Sequence, residues 1–198
     1  MSRSLTLASQ STARRAILQG AGVPFEAAVS GVDEDALKAR LLEDGASACE
    51  IAEALAEAKA VRVSGARPGL VLGADQTLEF DGRLYDKVET LEAARERLRL
   101  LRGATHRLHA ALSVAQDGAV VWRDTVSATL AMRDFSEDFL RAYLAAEGDA
   151  ALGSVGCYRL EGQGVQLFSA IEGDYFAILG LPLTNLLEFL RRQGVLTP

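Results

Sequence analysis

Cysteine and proline are scarce in this chain, with two of the first and four of the second among 198 residues. Cys49 and Cys157 stand far apart and form no C-x-x-C pair, so neither a disulfide framework nor a thiolate zinc site is indicated. There is no excess of basic residues either. Lysine and arginine number 21 against 27 acidic residues, a net charge of −6, which argues against a nucleic-acid binder working by broad phosphate neutralisation. A local basic site is still compatible with that balance. The chain also lacks any apolar run of the ~18 residues that read as a membrane span. The opening stretch, MSRSLTLASQ, has no signal-peptide core. A soluble cytoplasmic protein is expected, with neither a nucleic acid nor a membrane as partner.

What is present is ordinary globular composition, 49% hydrophobic and 24% charged, which excludes a disordered or fibrous chain. At roughly 150 residues per domain the length points to one domain over residues 1–198. A fold of this size buries roughly 70% of the surface its unfolded chain exposes and needs no staples. No repeat, low-complexity tract or long linker interrupts it.

Strand and helix patterns alternate from the start. Leu5 to Ala8 reads as a short strand, Ser9 to Thr12 as capping residues, and Ala13 to Leu18 as a helix closed by Gly20 and Gly22. Phe25 to Val29 is a candidate strand, and Asp35 to Glu43 and Ala48 to Val63 are helical by composition. After the break at Ser64 to Gly69, Leu70 to Gly73 reads as a buried strand that ends on Ala74 and Asp75. Asp81-Gly82 predicts a hairpin between Thr77 to Phe80 and Arg83 to Tyr85. Leu91 to Leu101 carries Ala94, Leu98 and Leu101 at helix spacing, and His106 to Ala115 and Ala119 to Met132 predict two long strands. A helix begins at Ser136, Gly153 to Gly164 is too glycine-rich to be helical, Leu167 to Ile171 and Tyr175 to Leu179 read as strands, and Leu183 to Arg192 is a closing helix. Helices between strands early and long antiparallel strands late predict a mixed sheet flanked by helices.

Four polar clusters interrupt this pattern. Ser9, Ser11, Arg14 and Arg15 fall where a strand turns into a helix, which makes either an anion site at a helix N-terminus or a capped helix with solvated arginines. Asp33-Glu34 suits a divalent metal or a solvated turn. Lys59 sits in an alanine-rich helix, where a surface lysine is the default. Asp75-Gln76, with Lys87 beyond the hairpin, is placed where ligands of α/β sheets collect, though a structural aspartate fits equally. His106 and His109 are three apart, so a strand turns their rings to opposite faces and they cannot share a metal. Both read as structural. Cys157 reads as a buried inert thiol, and Trp122 and Phe168 as residues of the sheet faces.

In this order and spacing the clusters resemble the Maf family of nucleoside triphosphate pyrophosphatases. The resemblance rests on LASQSTARRAIL (Leu7 to Leu18), FEAAVSGVDE (Phe25 to Glu34), ALAEAKA (Ala54 to Ala60), VLGADQTLEFDGRLYDK (Val71 to Lys87), LRGATHRLHAAL (Leu101 to Leu112) and the stretch from Val155 to Leu183. It implies a three-layer α/β/α fold around a long mixed central sheet, with a cleft between two lobes. It also implies hydrolysis between the α and β phosphates of a nucleoside triphosphate, giving a monophosphate and pyrophosphate. By that resemblance Ser9, Arg14, Lys59 and Lys87 surround the phosphates, Asp75 activates water, and Glu34 with Asp75 holds a divalent cation, Mg2+ or Mn2+ by the all-oxygen donor set. Homodimers are common in the family, and apolar residues on the late strands leave that open here.

The chain departs from the family pattern at Thr12 and Val88, where proline is usual, and at Gly153 to Gly156, where the pyrimidine-specific branch has D-K-A-G. The branch acting on dTTP and UTP differs from this chain at Ala13, Gln76 and Glu161; the S-T-A-R-R, D-Q and E-G stretches resemble the 7-methyl-GTP branch. A methylated guanine is cationic and presents two adjacent N–H donors, which a carboxylate such as Glu161 accepts better than an amide does. Three activities are therefore carried forward: a pyrophosphatase cleansing the nucleotide pool of 7-methyl-GTP, a pyrophosphatase for pyrimidine nucleotides, and a non-catalytic nucleotide-binding regulator of septum formation.

Overall fold

The computed structural model describes residues 4–197. Three long strands form its frame: β3 (Leu70–Phe80), β5 (Thr105–Gln116) and β6 (Ala119–Met132), each antiparallel to the next. β1 (Leu5–Leu7) lies parallel to the start of β3, and β2 (Glu26–Ala27) lies parallel to β1. At the other edge β7 (Phe168–Glu172) pairs antiparallel with the end of β6. β4 (Arg83–Tyr85) folds back on the end of β3. The turns before β4 and β6 are both Asp-Gly, with Asp81 and Gly82 at φ of 52° and 68° and Asp117 and Gly118 at 53° and 80°, the left-handed backbone that a tight hairpin needs.

The helices follow their cap signals. Ser11 starts α1 (Thr12–Gly20), Asp33 starts α2 (Glu34–Glu43), Thr90 starts α4 (Leu91–Leu101) and Ser136 starts α5 (Glu137–Glu147). α3 (Ala48–Ser64) has a full capping box, Ser47 bonding the Glu50 amide while the Glu50 carboxylate takes the Ser47 amide. α6 (Tyr175–Ile178) and α7 (Leu183–Arg192) close the chain.

The alternation of side chains along β3 sorts the helices into layers. Val71 and Gly73 face α3, which is alanine-rich and lies close to the sheet. Leu70, Leu72 and Ala74, on the other face, join Leu18 of α1 and Leu186 and Leu190 of α7 in one apolar core. Farther along that face Leu78, Leu108 and Leu130 join Leu98 of α4 and Leu140 and Tyr143 of α5 in a second core. A mixed sheet with helices on both faces is thus the observed architecture, and its long strands run through both cores. Among the described residues no helix is long and apolar enough to cross a membrane.

Three expected elements differ. Leu70 to Gly73 and Thr77 to Phe80 are not separate strands; β5 pairs with β3 without a break from Val71 to Glu79, so the polar residues between stay in the ladder. Asp75 is therefore in mid-strand, not at a strand end. Tyr175 to Leu179 is not a strand but the single turn of α6, because the Asp174 carboxylate caps it by accepting the Ala177 N–H at 2.7 Å. The strand expected over Phe25 to Val29 shrinks to the two residues of β2.

The mid-strand position of Asp75 explains the cleft. β1 covers the free edge of β3 only at Leu70–Leu72, and β4 covers it only at Leu78–Phe80. Between them residues 73–77 have no strand neighbour on that side. The cleft opens in this gap, between the two cores.

Candidate active site

The cleft has a volume of about 1230 Å³ and is lined by Ser9, Ala13, Arg14, Glu34, Lys59, Asp75, Gln76, Lys87 and Glu161, while Arg15 and Asp33 of the polar clusters are not in its lining. Asp75 and Gln76 point to opposite faces of β3, yet both reach the cleft because the strand edge between them is bare.

Lys59 organises the floor. Its Nζ lies 2.6 Å from Asp75 Oδ1 and 2.7 Å from Glu34 Oε2, with its side chain only 7% exposed. It is not the surface lysine that helix composition suggests. α3 delivers it because Gly73 lets the helix lie directly on β3, and the Thr77 hydroxyl donates to the Ala48 carbonyl at 2.8 Å to pin the helix start. Asp75 Oδ2 and Glu34 Oε1 make none of these contacts, and both residues line the cleft.

The start of α1 forms an adjoining wall. Ser9 Oγ accepts from the Ser11 amide at 3.2 Å and from Arg14 Nη1 at 3.3 Å, while Arg14 Nε donates to the Gly180 carbonyl at 2.9 Å. The half-buried Arg14 faces the cleft, and desolvation lowers its pKa against the opposing pull of Asp75 and Glu34. Lys87 opens onto the cleft, yet desolvation first and the charge of Arg14 next lower its pKa. At the floor, three cations face two carboxylates. The excess is positive, the sign that suits a polyphosphate.

Gln76 is committed elsewhere. Its Nε2 donates to the carbonyls of Ala177 at 2.8 Å and Ile178 at 3.0 Å, tying α6 to the sheet. Glu161 lies near the other end of the cleft, 3.2 Å from Arg159 Nε, and beside Ala13 it borders an apolar annex of about 410 Å³ lined by Ile17, Phe176 and Leu183.

Among the described residues no group of three or more His, Cys, Asp or Glu is disposed to hold a metal ion. Glu34 and Asp75 nonetheless leave one carboxylate oxygen each beside a positive site. Mg2+ commonly takes one or two carboxylates and draws its other ligands from substrate phosphates and water, so this donor set fits a metal that arrives with a triphosphate.

The histidines stand apart. His106 Nε2 meets Tyr158 Oη at 2.7 Å, while His109 bonds Ser127 at 2.7 Å and Glu79 at 3.0 Å on the opposite face. Cys157 is buried, which pushes its thiol up to about 11. Three residues not singled out from the sequence also shape the cleft. Lys38 meets Asp86 at 2.6 Å, and Arg97 Nη1 donates to the carbonyls of Asp86 at 3.0 Å and Val155 at 2.8 Å. Lys38 has a faint local signal, one helical turn beyond Glu34; Arg97 has none, because its partners are carbonyls on distant loops.

The chain is similar to known proteins over nearly its whole length. A protein of Caulobacter vibrioides named "Nucleoside triphosphate pyrophosphatase" is 60% identical over 98% of this chain and 97% of its own length. A protein of Granulibacter bethesdensis with the same name is 52% identical over 98% of each chain. A protein of Brucella abortus named "7-methyl-GTP pyrophosphatase" is 46% identical over 98% of each chain. Residues 4–193 match the family described as Maf-like protein, and the chain belongs to that family.

Proposed function

We propose that the chain is a nucleoside triphosphate pyrophosphatase, cleaving the bond between the α and β phosphates to release a nucleoside monophosphate and pyrophosphate. The observation that carries this reading is Lys59 held between Asp75 and Glu34 on the cleft floor, in a cluster that Arg14 and Lys87 make positive on balance. A pure nucleotide binder has no need of two carboxylates facing an anionic ligand. An enzyme has: Asp75 Oδ2 takes a proton from the water whose oxygen attacks the α-phosphorus, as the bond to the β-phosphate oxygen breaks. Lys59, Lys87 and Arg14 stabilise charge that shifts onto the departing pyrophosphate, and the first turn of α1 offers main-chain N–H groups to the phosphates. Mg2+ or Mn2+ held by Glu34 and Asp75 would supply further neutralisation of phosphate charge.

For the base, 7-methyl-GTP is the substrate we favour. The Glu161 carboxylate, on turning from Arg159 Nε, offers two acceptors to the N–H edge of guanine and a negative charge to its methylated, cationic ring. Both Nε2 hydrogens of Gln76 are used on carbonyls, so its amide holds the α6 wall and only Oε1 is left to meet the base.

The deciding experiment is pyrophosphate release by purified protein over 7-methyl-GTP, GTP, dTTP and UTP, with and without Mg2+ or Mn2+. Release from at least one nucleotide is expected, with the highest kcat/KM on 7-methyl-GTP. Glu161→Gln should narrow the gap between 7-methyl-GTP and UTP by roughly 1–3 kcal/mol, the scale of one bidentate contact. A wild type that favours UTP or dTTP would reject the base assignment alone; one that releases pyrophosphate from none would reject the activity.

A further inference from the structure

The helix that carries Glu34 is weakly held. α2 has no buried residue, and Gly31 and Gly45 on either side of it adopt φ of 63° and 79°. Its apolar packing is limited to the half-buried Leu37 and Leu41 and its approach to α3, so it holds Glu34 only loosely. What ties its cleft side to the rest of the molecule is ionic: Glu34 to Lys59 at 2.7 Å, and Lys38, one turn later on the same face, to Asp86 at 2.6 Å. The second tie crosses the mouth of the cleft to the residue just before Lys87.

Asp86 is held from behind as well. Arg97 of α4 donates to its carbonyl at 3.0 Å and to that of Val155 at 2.8 Å, with the guanidinium carbon 4.7 Å from the centre of the Tyr85 ring. Asp86 and Arg97 in series therefore join α2, the segment bearing Lys87 and the Val155 loop. The Lys38 side chain is only 16% exposed although its helix is bare, which shows it laid along the cleft wall rather than extended into solvent.

We propose that Lys38 and Asp86 are positioning residues: their ion pair, backed by Arg97, sets Glu34 and Lys87 at a fixed separation across the phosphate end of the cleft. The proposal rests on the pyrophosphatase reading for its catalytic consequence, though not for the brace itself. The pair handles no substrate atom. It acts by removing the freedom of α2, and misplacing a reacting group by about 1 Å costs on the order of 100-fold in rate. An ion pair with one exposed partner adds little to stability, so its loss should show in turnover rather than in melting.

The test is a double-mutant cycle in the full chain: Lys38→Met, Asp86→Asn, both together, and Lys38→Arg as the conservative control. Each single variant should lower kcat roughly ten- to a hundredfold with KM within about threefold of wild type. The double variant should be no worse than the poorer single, since both remove one interaction. Lys38→Arg should restore kcat to within about threefold of wild type, and melting temperatures should stay within about 3 °C of it. Amide hydrogen exchange across residues 34–43 should quicken at least about tenfold in the three disrupted variants and not in Lys38→Arg.

Additive losses in kcat would overturn the proposal. So would a raised KM in Lys38→Met beside a normal Asp86→Asn, the mark of a lysine that binds phosphate directly. Unchanged exchange across α2 would overturn it whatever the rates. A wild type inactive on every nucleotide would overturn the enzymatic reading and not the brace, which the exchange measurement tests alone.

Discussion

The carbonyl oxygen of Ala56 stands where any side chain on Gly73 would have to be. This contact between α3 and β3 brings Lys59 to Asp75. A Gly73→Ala substitution must push the helix away, and because the clash is with main chain no rotamer change relieves it. We expect a loss of about 3 kcal/mol in unfolding free energy, the upper end for overpacking, together with turnover reduced per folded molecule. Denaturant melts would refute this if the loss were under about 0.5 kcal/mol.

Asp75→Asn should fold and bind nucleotide but lose on the order of 100-fold or more in turnover, because an amide cannot take the proton of the attacking water. Near wild-type turnover with an unchanged pH profile would remove Asp75 from the role of base.

The two lysines of the site should behave differently. Lys59→Met strips both Glu34 and the buried Asp75 of their shared cation, so it should cost stability as well as activity. Lys87 makes no ion pair among the described residues, and desolvation, then the charge of Arg14, lowers its pKa. Lys87→Met should leave stability within about 0.5 kcal/mol of wild type while turnover falls at least tenfold, roughly. Thermal melts paired with initial rates separate these outcomes; a Lys87→Met protein that melts early with normal turnover would make Lys87 structural.

Local signals account for most of what the sequence made readable. Ser11, Asp33, Ser47, Thr90 and Ser136 all cap the helices they precede, and both Asp-Gly turns form hairpins. What stayed hidden is long-range. Asp75 reads as a strand's end and Thr77 as the start of another because the uninterrupted pairing with β5 lies far along the chain. Tyr175 to Leu179 reads as a strand, and only the bond from the Ala177 amide to Asp174 reveals a capped helical turn. In the site the same division holds. The candidate residues were nameable, but that Gln76 bonds carbonyls of α6, that Lys59 serves two carboxylates, and that Asp86 reaches Lys38 depend on approaches between distant segments.

Acid should weaken the fold through His106. Desolvation lowers its pKa from 6.5 to about 4, so the folded protein keeps the ring neutral where the unfolded chain would protonate it. The stabilisation is complete above about pH 6.5 and is lost as pH falls toward 4, amounting to about 3 kcal/mol across that window. His106→Gln should show a smaller drop in stability between pH 7 and pH 4.5 than wild type. An identical drop in both would exclude His106 as its source.

Because β3, β5 and β6 pass unbroken through both apolar cores, neither lobe can melt while the other stays folded. A defect beside α4 is then felt as loss of cohesion beside α7, and calorimetry should record a single endotherm. The same continuity stiffens the cleft floor, where Asp75, Gln76, Thr77 and Leu108 stand on shared strands. Traffic of nucleotide in and out then falls to the elements that the sheet does not carry.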